Sequence, residues 1–176
     1  MKAFALTQDG RGLDPSECCS VAVVYEDTEQ REPALRLKNL LGRQFGEDME
    51  FQFTWWGFKY LADPQVARLA TEDVLEADII IFSMHAAGKI PFEVWRWIET
   101  WCVKRQENEG ALGVLLAPER HAHKNPNIAY LQNVARQAGL DFLILESEDS
   151  QISNPVNPAM IVPARTYPIT HWGINE

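Results

Sequence analysis

Three of the four histidines, His85, His121 and His123, follow short apolar runs by a few residues, and acidic side chains gather at the same kind of position. An imidazole beside a carboxylate can move protons near neutral pH, because its ordinary pKa lies there. His85 and His121 are therefore the candidate acid-base groups. The same mixture binds zinc or another divalent ion, and the His121-Ala122-His123 pattern can present two imidazoles to one metal. Asp27, Glu119 and His123 are the candidate ligands. No HExxH or comparable spacing accompanies them, so the pattern locates a site without naming a metal. The run from Glu119 to Pro126 reads equally well as a solvated turn. Ser83 stands two residues before His85, on the same face of an extended strand. The sequence around it, Ile81-Phe82-Ser83-Met84-His85, is not the GxSxG elbow that exposes a nucleophilic serine. His171 reads as structural.

These groups need a frame, and the apolar periodicity supplies one. Val21 to Tyr25 is a continuous apolar run, and Pro33 then opens a stretch with Ala34, Leu37, Leu40, Leu41 and Phe45 at helical spacing. Met49 to Trp55 alternates as a second strand, and residues 64–76 carry Val66, Leu69, Val74 and Leu75 as a second helix. Ile79 to Phe82 reads as a third strand, Pro91 to Arg105 as a third helix, and Ala111 to Ala117 as a fourth strand. Ile128 to Ala138 then reads as a fourth helix and Phe142 to Leu145 as a fifth strand.

Short, nearly all-apolar strands alternating with helices imply a sheet covered on both faces. The expected class is α/β: a three-layer, doubly wound, five-stranded parallel sheet in the order 2-1-3-4-5. Right-handed crossovers then place ligands outside the carboxyl ends of the strands, near the switch between strands 1 and 3. Strands 1, 3 and 4 are consecutive in that order. The loops carrying Asp27, His85 and His121 therefore share one edge, where a small-molecule ligand is expected. Residues 1–150 make one domain, and the proline-bearing tail 151–176 reads as an irregular strap packed on it.

The third helix has a wide apolar face of Val94, Trp95, Trp97, Ile98, Trp101 and Cys102, with Trp95 and Trp97 at its margins. Either all three tryptophans are core, or a marginal one is exposed and anchors a homodimer or a partner protein through helix 91–105. With 25 acidic against 16 basic residues the formal charge is -9, which disfavours nucleic acid as a partner. The opening MKAFALTQDGRG has only a four-residue apolar run, and no stretch approaches the ~18 apolar residues of a membrane span. A soluble, cytoplasmic protein is the expectation. Cys18, Cys19 and Cys102 form no disulfide framework, being odd in number with one adjacent pair, and they suit a reducing compartment.

Two family resemblances follow from these residues. The segment Ala77-Asp78-Ile79-Ile80-Ile81-Phe82, with Gly88, Pro91 and a Trp- and Ile-rich helix after it, resembles the third βα unit of flavodoxin-like proteins. The wider likeness runs from about Val21 to Ser147. It implies a loop beside a flavin ring, with Thr28, Trp55, Ser83 and Gly88 as candidate cofactor contacts and an atypical flavin-linked oxidoreductase as the enzyme reading. Trp55 and Trp56 can stack on such a planar ligand, or split between the core and a loop. The family's phosphate loop should fall at residues 26 to 33, which read Glu-Asp-Thr-Glu-Gln-Arg-Glu-Pro. A phosphate needs N–H donors and close backbone approach, and four carboxylates with no glycine oppose it, so FMN held in the usual manner is disfavoured. Separately, Val23-Val24-Tyr25-Glu26-Asp27 resembles the strand that carries the acidic pair of response-regulator receiver domains. Ser83 stands where their phosphoacceptor aspartate would be, and serine lacks the carboxylate that the phosphotransfer requires. That resemblance implies a non-catalytic, pseudo-receiver-like protein-interaction module.

Overall fold

At every residue of two strands, β3 (Ile79–Met84) and β4 (Ala111–Leu116), the side chain is buried, and this burial of both faces makes them the centre of the sheet. The structure, a computed structural model, describes residues 17–47, 49–105, 110–116 and 125–146. Around the central pair lie β1 (Glu17–Tyr25), β2 (Met49–Gly57) and β5 (Asp141–Glu146), with helices α1 (Thr28–Phe45), α2 (Pro64–Glu76), α3 (Phe92–Cys102) and α4 (Pro126–Gln137) between them. All four strand pairings are parallel, in the order β2-β1-β3-β4-β5. This is the α/β order expected from the sequence. The tail 151–176, expected as a strap, lies outside the described residues.

The strand register sorts the core into two layers. Ala22 and Val24 of β1, Ile80 and Phe82 of β3 and Leu112 and Val114 of β4 face α2, α3 and α4. Val21, Val23, Ile79, Ile81 and Leu115 face the other way, where α1 lies with Ala34 and Leu41 buried. The alternation is the period-2 consequence of a pleated strand. Because both layers are apolar, the central strands read as unbroken hydrophobic runs.

The helix ends set where the chain turns at the carboxyl edge. Asp63 caps α2 by accepting from Gln65 N at 2.8 Å, and Asn125 caps α4 by accepting from Asn127 N at 2.8 Å. Each cap is followed by a proline at the first helical position, where a missing N–H costs nothing. At the opposite edge the buried Arg105 donates to the carbonyls of Val74 and Ala77, at the end of α2. A cation there satisfies carbonyls that the helix leaves open and complements its dipole. Gly110, at φ +152°, packs where a side chain would meet the Asp78 carbonyl at 2.6 Å, so the entry to β4 requires glycine.

α1 departs from the sequence reading. It begins at Thr28, so Pro33 is its sixth residue and not its first. The physical reason is Asp27, whose carboxylate accepts from Gln30 N at 3.0 Å and starts the helix directly after the strand. Residues 28 to 33, expected as loop, are helix. α3 is also shorter than expected, ending at Cys102 instead of Arg105.

Candidate functional site

Register brings the ends of β1 and β3 side by side, with Tyr25 opposite Ser83. The next residues on each strand therefore meet. Glu26 N donates to Ser83 O at 2.9 Å, and His85 N donates to the Glu26 carboxylate at 2.8 Å. The His85 ring reaches Asp27, with Nε2 at 2.9 Å from Oδ2, and its Nδ1 lies 3.0 Å from Gln30 Nε2. Glu26, Asp27, Gln30 and His85 thus form one cluster, drawn from the turn after β1, from α1 and from the loop after β3.

Both ring nitrogens of His85 are occupied by protein groups. Neutral His85 donates from Nε2 to Asp27 and accepts at Nδ1 from the Gln30 amide, which leaves the buried Gln30 Oε1 without a hydrogen-bond partner. A half-turn of that amide gives the alternative, with Nδ1–H of an imidazolium donating to Oε1. The hydrogen bond to Asp27 raises the His85 pKa above its ordinary 6.5; burial opposes this, and the charges of Asp27, Glu26 and Glu29 add to it. For Asp27, burial alone would push the pKa up. The Gln30 N–H and the His85 ring outweigh it and hold the carboxyl below its usual range.

Ser83 has no exposed surface, and its Oγ donates to the Gln30 carbonyl at 2.5 Å. The hydroxyl anchors α1 to β3, and its one proton is committed there. Gly88 packs on Glu26: a Cβ there would come within 2.5 Å of the carboxylate oxygen. Asn127 Nδ2 donates to the Gly88 carbonyl at 2.6 Å and Asn125 Nδ2 donates to the Ala86 carbonyl, so the loop after β3 is clamped to the start of α4. Thr28 is the exposed first residue of α1. His121, Glu119 and His123 lie outside the described residues. Among the described residues no three His, Cys, Asp or Glu side chains converge as a metal site.

Trp55 and Trp56 split across the sheet. Trp55 lies on the α1 side, its ring near-parallel to Phe53 at 6.0 Å and 5.5 Å from the Arg31 guanidinium. Trp56 packs on the α2 side and donates from its indole to Asp73 at 3.1 Å. Both rings are half-buried. A groove of about 420 Å³ runs between α2 and α3 over Trp97, and none of Glu26, Asp27, Gln30 and His85 lines it.

No family model matches the chain, and no curated protein matches it in sequence. Among solved structures it is similar to a short-chain flavodoxin associated with a bacterial microcompartment, at 14% identity and TM-score 0.51 over 77% of this chain and 87% of that one. The fold is flavodoxin-like. A protein of Streptococcus mutans UA159 also matches, at 10% identity and TM-score 0.48 over 76% of this chain and 90% of that one.

Within the flavodoxin-like frame, Gln30 is the residue that the sequence reading missed. It is almost fully buried, and it meets His85 through its amide, Ser83 through its carbonyl and Asp27 through its N–H. Its signal was local: Asp27-Thr28-Glu29-Gln30 has the spacing of a capping box, in which a capping oxygen is followed three residues later by Glu or Gln.

Proposed function

We propose that this flavodoxin-like chain is a non-catalytic, pseudo-receiver-like module that works by protein contact, with Glu26, Asp27, Gln30 and His85 acting as an internal clasp between β1, α1 and β3. The observation that carries this reading is the Asp27 carboxylate on the N-terminus of α1, 3.0 Å from Gln30 N. The free N–H groups of a helix start are what a phosphate would use, and here they meet a carboxylate, with Glu29 in the same turn. Proton transfer from His85 to a ligand would first cost one of its two ring hydrogen bonds.

A second reading keeps a small molecule without a phosphate at the carboxyl edge of β1, β3 and β4, with His85 and His121 in acid-base roles. Two observations favour it: the side chains of Asp27 and His85 are partly open to solvent, and the fold is like that of a short-chain flavodoxin. Titration of the full chain with FMN and with riboflavin, followed by flavin fluorescence and by thermal unfolding, separates the two. The module reading expects neither ligand to quench or to raise Tm. Equal binding of both would favour the second reading. FMN bound much more tightly than riboflavin would sink the first reading along with its phosphate argument.

A further inference from the structure

The outermost line of α3 and its C-terminal cap is Phe92, Arg96, Glu99 and Val103, at intervals of four, three and four residues, opposite the buried Val94, Trp97, Ile98, Trp101 and Cys102. This is the spacing of a helix seam that packs on another helix. Its two ends are the most exposed large hydrophobic residues described, Phe92 at 65% and Val103 at 56%. Trp95, 42% exposed, widens the apolar end on the α4 side, its ring 6.2 Å from Phe92 and 6.4 Å from Tyr130. The middle of the seam holds one cation and one anion. Arg96 reaches back over the Phe92 ring, and Glu99 accepts from the Tyr130 hydroxyl through Oε1 alone.

The order apolar, cation, anion, apolar becomes its own complement when reversed. We propose that a second copy of this chain docks here, α3 antiparallel to α3, about a twofold axis level with the peptide between Trp97 and Ile98. That operation sets Phe92 on Val103 of the second copy and Arg96 on its Glu99, and repeats both contacts by symmetry. A parallel arrangement would put Arg96 on Arg96 and Glu99 on Glu99, which repel, so the charge pattern selects the antiparallel one. The occupant follows from charge as well. Two chains of formal charge -9 repel in general, and this seam is locally neutral and apolar at both ends. From Phe92 to Val103 the seam runs about 16 Å at the rise of an α-helix. It is therefore smaller than the roughly 800 Å² per partner of a tight complex, and a micromolar dimer is the expected strength.

This inference names the partner for the contact reading and rests on it, but the two fail separately: flavin binding bears on the reading, and subunit mass bears on the dimer. The test is analytical ultracentrifugation of the full chain from about 1 to 500 µM, with circular dichroism to show that each variant is folded. The wild type is expected to pass from monomer to dimer in that range. Arg96→Glu should weaken the dimer at least tenfold, as should Glu99→Arg. The combined Arg96→Glu and Glu99→Arg chain should recover to within about threefold, because the swap restores opposite charges across the axis. A monomer at every concentration overturns the proposal. So does a dimer indifferent to Arg96→Glu, or a folded double variant that stays as weak as the single ones.

Discussion

Asp27 does two things, and two substitutions separate them. Its Oδ1 caps α1 through Gln30 N at 3.0 Å, and its Oδ2 faces His85 Nε2 at 2.9 Å. Asparagine caps a helix about as well as aspartate, so Asp27→Asn removes only the charge, whereas Asp27→Ala removes the cap as well, at a cost of about 1 kcal/mol. The ion pair is worth less than its geometry suggests. The His85 side chain is 33% exposed and that of Asp27 48%, and solvent screening holds such a pair to roughly 0.2–1 kcal/mol. The pH dependence follows from the two shifts. His85 has its pKa raised on folding, so its share of stability is fully present below about pH 6.5 and is lost as pH rises through the folded value. Asp27 has its pKa lowered, so its share is present above the ordinary 3.8 and is lost as pH falls through the folded value. Both are in force between about pH 4 and pH 6.5. In urea unfolding at about pH 5.5, Asp27→Asn should therefore lose roughly 0.2–1 kcal/mol against the wild type, and the gap should narrow as pH rises through the folded value of His85, leaving only the part that Asp27 draws from the Gln30 N–H. Asp27→Ala should lose about 1 kcal/mol more on both sides of the His85 value. An Asp27→Asn deficit of equal size on both sides of it would refute the imidazolium pair. Equality of the two variants would refute the cap.

Two further substitutions probe the frame around the clasp. Gly88→Ala places a methyl 2.5 Å from the Glu26 carboxylate, which must move off His85 N; calorimetry should show a loss of about 1–2 kcal/mol, and most of that penalty should vanish in a Glu26→Ala background. Arg105→Met keeps most of the apolar stem but strips the buried Val74 and Ala77 carbonyls of their donor, and thermal unfolding should report a loss of about 3 kcal/mol or more; a Tm within a degree of the wild type would mean that the end of α2 is held by other groups.

How much of this was legible depends on how local each feature is. The central strands could be read because Ile79 to Phe82 and Ala111 to Leu116 are apolar without alternation, the mark of burial on both faces. Trp95 and Trp97 could not be told apart, since both lie at margins of one helical face and their fates depend on the neighbouring helices. On the Trp97 side, α2 offers the Ala67 carbonyl at 3.0 Å and Thr71 Oγ1 at 2.9 Å to the indole N–H, and the ring is buried. On the Trp95 side, α4 brings the tilted Tyr130 ring to 6.4 Å, and the Trp95 ring stays open. The strand order predicted that the ends of β1 and β3 adjoin. Which side chains join across that gap depends on a register that no local pattern carries.

Asp27 is where local and distant information coincide. Its pattern with Gln30 is a local capping signal, and its pairing with His85 spans 58 positions in the chain. Read as an isolated carboxylate after a strand, Asp27 qualifies as a metal ligand; read as the first residue of a capping box, it is already committed to a backbone N–H. A cation could draw only on the oxygen that faces His85. Binding there would compete with the imidazolium and would strengthen as pH rises and His85 becomes neutral, opposite to the pH dependence of the clasp itself. The cap at residues 27 to 30 therefore constrains the chemistry at the end of β1, and it does so from four consecutive residues.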